Sequence, residues 1–139
     1  MAPTAVQGEP VEEPVVVAVC VSCRPAGAPA GLPGAELLAR LREEAGCLGP
    51  GVEIRPVQCL SVCKRPCTIA LSSPGRYTYV FGDIDPAGGA AEIVACLEVY
   101  RQQEHGYMLW RERPESLRRG IVARIPPITW DTEDGSHPR

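Results

Sequence analysis

Five of the chain's seven cysteines stand in two tight groups, each directly behind a segment that reads as a β-strand. Cys20 and Cys23 form C-x2-C at the end of a β-branched run, VVVAVCV, predicted as a strand from Val15 to Val21. Cys59, Cys63 and Cys67 form C-x3-C-x3-C just after a second short strand, Val52 to Val57. Between them lie a Gly-, Pro- and Ala-rich loop and a predicted helix, Ala35 to Ala45. Leu37, Leu38 and Leu41 of that helix share one face, and Gly46 stands as its stop. Strand, helix, strand implies a parallel pair joined by a right-handed crossover. Parallel neighbours deliver whatever follows them to the same C-terminal edge, where open α/β sheets place their sites. The two thiol pairs, distant in the chain, are therefore expected to converge.

The rest of the chain extends this frame. The seven-residue apolar run of the first strand fits a strand buried on both faces. Thr68 to Leu71 and Tyr77 to Phe81, separated by the turn SSPGR, read as an antiparallel hairpin. A second helix is expected from Ala90 to Glu104, with Asp85–Pro86 able to start it and Ile93, Val94, Leu97 and Tyr100 on its inner face. The order βαβββα gives an α/β fold with a four-stranded mixed sheet, two parallel strands plus a hairpin, and two main helices. Pro114 to Arg119 can form a short helix. IPPITW is extended because Pro126 and Pro127 exclude helix, with Ile125, Ile128 and Trp130 as expected anchors. Residues 1–13 read as a disordered lead, 14–130 as one domain and 131–139 as a disordered tail.

Composition narrows the function. The 139 residues carry a net charge of −3, which points neither to nucleic acid nor to an anionic membrane surface. No apolar run approaches the roughly 20 residues of a membrane-spanning helix. The acidic, Pro-rich start lacks the features of a secretory signal. A reducing cytoplasm is the expected location, and there structural disulfides are disfavoured. Metal ligation or redox chemistry then accounts best for so many cysteines. Two have a bland reading as small packed residues: Cys47 after Gly46 and Cys96 in a helical stripe.

Four convergent thiolates, Cys20, Cys23, Cys59 and Cys63, suit tetrahedral zinc or an iron–sulfur cluster. Arg24, Lys64 and Arg65 beside them favour an anionic centre. A dithiol redox motif at Cys20 and Cys23 is the bland alternative, but a long loop separates Cys23 from the helix N-terminus that would activate it. Four-residue spacing would also place Cys59, Cys63 and Cys67 on one helical face, which Pro66 opposes.

These residues resemble a known group. The strand–C-x2-C loop, the CLSVC segment and the βαβββα order resemble the thioredoxin-like 2Fe–2S ferredoxins, which share their fold with a subunit of respiratory complex I and with subunits of some hydrogenases. More closely, Val17 to Ile128 is similar to a bacterial family of predicted metal-binding proteins, domain of unknown function 1636. VCVSCR, QCLSVCKRPCTIALSSPGRYTYVFGDIDP and WRERPESLRRGIVARIPPI carry that likeness. The broader resemblance implies a thioredoxin-like fold and a 2Fe–2S electron carrier, often a homodimer, that serves a redox protein partner. Some members of the narrower family are associated with cobalamin synthesis and cobalt handling. In many such ferredoxins the first two ligands lie farther apart than Cys20 and Cys23, and Cys67 is the natural substitute; with Cys59 and Cys63 as the pair, Pro66 redirects the chain and Cys67 begins the next strand as a packed or outer-shell thiol.

Three functions of different class follow: a one-electron carrier, a zinc or cobalt chaperone or sensor at the same thiols, and a thiol–disulfide oxidoreductase. The sequence carries no phosphate loop, nucleophile elbow or H-E-x-x-H, so no enzyme is expected. His105 and His137 are isolated. Trp110 and Leu117 are expected to pack on the sheet with the neighbouring arginines in water. The sharper alternative is that Arg111, Arg113, Arg118 and Arg119 form a docking patch for an acidic partner.

Overall fold

The structure, a computed structural model, describes residues 13–22 and 33–138. Cys23, most of the Gly/Pro/Ala-rich loop and nearly all of the expected lead lie outside the described residues. In chain order the elements are β1 (Val15–Cys20), α1 (Pro33–Glu44), β2 (Val52–Val57), β3 (Ile69–Ser72), β4 (Thr78–Phe81), α2 (Gly89–Gln102), α3 (Glu115–Arg119) and β5 (Ile121–Ile125). Short 3-10 turns follow α1 at Ala45–Leu48 and precede α3 at Trp110–Glu112. Among the described residues no helix is long and apolar enough to cross a membrane.

The strands form one sheet in the order β2-β1-β3-β4-β5. β1 and β2 are parallel, from Val15 opposite Val52 to Cys20 opposite Val57. The other pairs are antiparallel. This is the expected mixed sheet with one strand added. β5 pairs with β4 through Tyr79 and Arg124 and through Phe81 and Ile121, with a bulge near Val80. The IVARI stretch is β-branched and alternating, so it can extend the sheet until Pro126 and Pro127 remove the donors needed to continue.

Val15, Val17 and Val19 are fully buried, whereas Val16 and Ala18 are half-buried. The expectation of a strand covered on both faces is therefore corrected. α1 and α2 pack on each other, and their Leu37, Leu41, Ile93, Leu97 and Tyr100 join one apolar cluster with Val15, Val17, Val19, Leu71, Tyr79 and Phe81.

Three local expectations also change. α2 begins at Gly89, behind Gly88, and Asp85 does not cap it. Instead Asp85 closes the preceding turn: its carboxylate accepts from Ala87 N at 3.0 Å and its carbonyl from Gly89 N at 2.8 Å. Ile125 and Ile128 are 49% and 98% exposed, so neither anchors the C-terminal segment. Trp130 does pack, edge-on to Tyr77 with ring centroids 4.8 Å apart. Trp110 is 62% exposed and lies beneath the guanidinium of Arg118, 5.0 Å from its ring centre, while Leu117 is buried as expected.

Candidate functional site

The parallel register brings Cys20 and the loop that carries Cys59 and Cys63 to one edge of the sheet. Cys20 is the last residue of β1 and faces Val57, the last of β2. Val21 N donates to Val57 O at 2.9 Å, so the chains leaving both strands start side by side. Cys20 Sγ lies 3.8 Å from Gln58 O and 3.7 Å from Ser22 Oγ. Ser22 Oγ donates to the same Gln58 carbonyl. The peptide leading into Cys59 is thus tied directly to the segment leading into Cys23. On its other side β1 meets β3, with Cys20 N donating to Thr68 O at 3.1 Å.

Cys59 and Cys63 are exposed on the loop between β2 and β3. This stretch is not helical, in keeping with Pro66. Ser61 adopts a left-handed backbone, φ 62°, which turns its N–H onto Cys59 Sγ at 3.1 Å. A main-chain donor aimed at sulfur stabilises a thiolate or a metal-bound thiolate. Cys63 lies in a shallow depression with Ser61, Val62, Lys64 and Arg65.

Cys67 is 2% exposed and belongs to the apolar cluster beneath the helices; Cys20, 1% exposed, is buried outside that cluster. Cys96 is buried in α2, with Sγ 3.4 Å from Met108 Sδ, and burial pushes its thiol up to about 12 despite the nearby Arg113. Cys47 is exposed rather than packed, and its thiol donates to Glu44 O.

Chemically the donor set suits a soft metal or an iron–sulfur centre, since thiols from both groups share one edge of the sheet. Among the described residues no three Cys, His, Asp or Glu side chains stand close enough to enclose a metal by themselves. Cys20, Cys59 and Cys63 therefore form an open edge, and the fourth expected thiol, Cys23, is outside the described residues.

Of the four arginines in the alternative reading as a docking patch, three make contacts within the chain, while Arg111 is exposed. Arg113 is 91% buried by residue; its Nη2 donates to Met108 O and its guanidinium lies over Tyr79. Arg118 donates to the carbonyls of Trp110, Arg111 and Arg113. Arg119 pairs with Glu115. Sequence reading placed Arg65 beside Cys63 as a charge but missed what it binds. It also missed Ser22 and Ser61, for which the small polar residues two positions after Cys20 and Cys59 were the available signal.

The model of a family described as "Protein of unknown function (DUF1636)" matches residues 17–127. No functionally curated protein matches the chain. Among solved structures, a thioredoxin-like [2Fe-2S] ferredoxin from Aquifex aeolicus is similar over 86% of this chain and 99% of its own, with 21% identity and a TM-score of 0.55. A cysteine-to-serine variant of a thioredoxin-like [2Fe-2S] ferredoxin from the same organism matches over 78% and 98%, with 19% identity and a TM-score of 0.50. At this identity the likeness establishes a thioredoxin-like fold.

Proposed function

This chain belongs to that family, DUF1636, and on that footing we propose that it is a 2Fe–2S electron carrier with Cys20, Cys23, Cys59 and Cys63 as ligands. One observation supports the reading: the parallel register sets Cys20 against the Gln58 peptide, at the edge from which the loop of Cys59 and Cys63 leaves. The ferredoxin neighbours of the same fold support it. When bound, the cluster supplies a reversible one-electron couple. Ser61 N–H would offset negative charge on Cys59 sulfur. The exposed 59–64 loop would leave the centre near the surface, within reach of a redox protein partner in a reducing cytoplasm. No substrate pocket is required. Cys67 is a packed core thiol in this reading.

The test is anaerobic purification followed by iron, sulfide and zinc analysis. The expected product is red-brown, with two irons and two sulfides per chain. Serine replacement of Cys20, Cys23, Cys59 or Cys63 should each abolish the native visible spectrum. Cys47→Ser and Cys96→Ser should keep it, and Cys67→Ser should keep it while lowering stability. A colourless protein holding stoichiometric zinc would replace the carrier by a metal-holding function. Retention of the spectrum in Cys63→Ser together with its loss in Cys67→Ser would reassign the fourth ligand.

A further inference from the structure

Arg65 lies between Cys63 and Cys67, and its side chain bridges three separate groups. Nε donates to Asp83 Oδ2 at 2.8 Å, Nη1 to Ile121 O at 3.2 Å and Nη2 to Arg119 O at 2.9 Å. Its main chain is engaged as well: Arg65 N donates to Val62 O at 3.0 Å, and Arg65 O accepts from Asp83 N at 2.9 Å. The close approach depends on Gly82, where a Cβ would fall 2.8 Å from both Cβ and O of Arg65. A Cβ on Gly120 would fall 2.6 Å from Gly82 O. From Cys59 to Lys64, by contrast, the hydrogen bonds among the described residues are local ones, within the loop and its closing turn to Arg65.

We propose that Arg65 is the positioning residue of the thiol site. By bridging Asp83 and the carbonyls of Arg119 and Ile121, it locks the Cys63 loop onto the end of β4 and the α3–β5 junction. The C-terminal segment thereby anchors the loop through Arg65, a role that neither the cysteine spacing nor the βαβ frame requires. The inference rests on the reading of Cys63 as a ligand, but the lock itself is a property of the chain and can be tested without any bound centre. A planar guanidinium reaches three acceptors in fixed directions, whereas an ammonium on a flexible stem does not. Charge alone is therefore insufficient.

Amide hydrogen exchange on the cluster-free full chain separates these effects. In Arg65→Gln and in Arg65→Lys, the Arg65 and Asp83 amides should exchange about tenfold faster, with Val17 and Val19 in β1 unchanged. Asp83→Asn removes the charged partner but leaves both carbonyl contacts, so its effect should be clearly smaller. On protein carrying its native centre, transfer of iron to a chelator should be about tenfold faster in both Arg65 variants than in wild type. Unchanged exchange at Arg65 and Asp83 in Arg65→Gln would overturn the proposal. So would full restoration by Arg65→Lys, an equal effect of Asp83→Asn, or an equal rise at Val17 and Val19. A native protein without iron would sink the carrier reading alone, leaving the exchange result to decide Arg65.

Discussion

Gly34 shows how one residue couples the fold to the site. It is the second residue of α1, and a Cβ there would fall 2.0 Å from the carbonyl oxygen of Cys20. The missing side chain lets the helix start against the backbone that carries the first thiol. That neighbour is main chain in a central strand and cannot swing aside. Gly34→Ala should therefore lower stability by about 1–3 kcal/mol, as overpacking does, and disturb the geometry at Cys20. Gly46, beside which nothing lies within 4 Å, is the control: Gly46→Ala should change stability by less than about 0.5 kcal/mol. Urea unfolding midpoints decide it, and equal midpoints for the two variants would refute the steric argument.

At the scale of elements, the segment after α2 is held by a clamp on the main chain of a single residue. Met108 N donates to Tyr79 Oη at 2.9 Å, and Met108 O accepts from Arg113 Nη2 at 3.0 Å. Tyr79 and Met108 are both fully buried. β4 thus stitches the chain between α2 and α3 to the sheet, which brings α3 and β5 to where Arg65 can bind them. Tyr79→Phe keeps the ring but strands the Met108 N–H without an acceptor. It should cost about 1–3 kcal/mol, the penalty for an unsatisfied buried donor. The Met108 amide should also lose exchange protection; if protection and midpoint both stay at wild-type values, the clamp is not contributing. This clamp fixes a stretch to which the sequence assigns no helix or strand. Its hydrogen bonds join residues 29 and 5 apart, and neither separation has a local periodicity to betray it.

For the whole molecule, burial sets the alkaline limit of stability. The Cys96 thiol is pushed up to about 12 from 9.0 by burial, and the Tyr100 hydroxyl is also raised from 10.0, again chiefly by burial. Tyr100 Oη donates to Tyr77 O at 2.6 Å, which requires its proton. Both groups hold their protons more tightly folded than unfolded. Their contribution is thus complete below the unfolded pKa values and is lost as pH rises through the folded ones. Unfolding midpoints should fall from about pH 9 upward, at up to about 1.4 kcal/mol per pH unit for each group. Cys96→Ala should flatten the decline between pH 9 and 12, and a wild-type slope in that variant would show that Cys96 does not titrate in the unfolded chain alone.

By itself the sequence determined the strand–helix–strand frame, the hairpin, the second helix and the edge that Cys20 shares with the chain leading into Cys59, because each rests on short-range periodicity or on the handedness of a crossover. It also marked Cys96 as a packed residue. Only the tertiary structure decided that one face of β1 is more open than the other and that β5 completes the sheet. Tertiary contacts likewise decided that Arg65 turns its charge onto Asp83 and onto carbonyls far away in the chain, and that Arg113 is buried over Tyr79. The physical reason is that hydrogen-bond acceptors on the backbone are the same at every residue, so nothing in the letters of a sequence says which distant carbonyl an arginine will find.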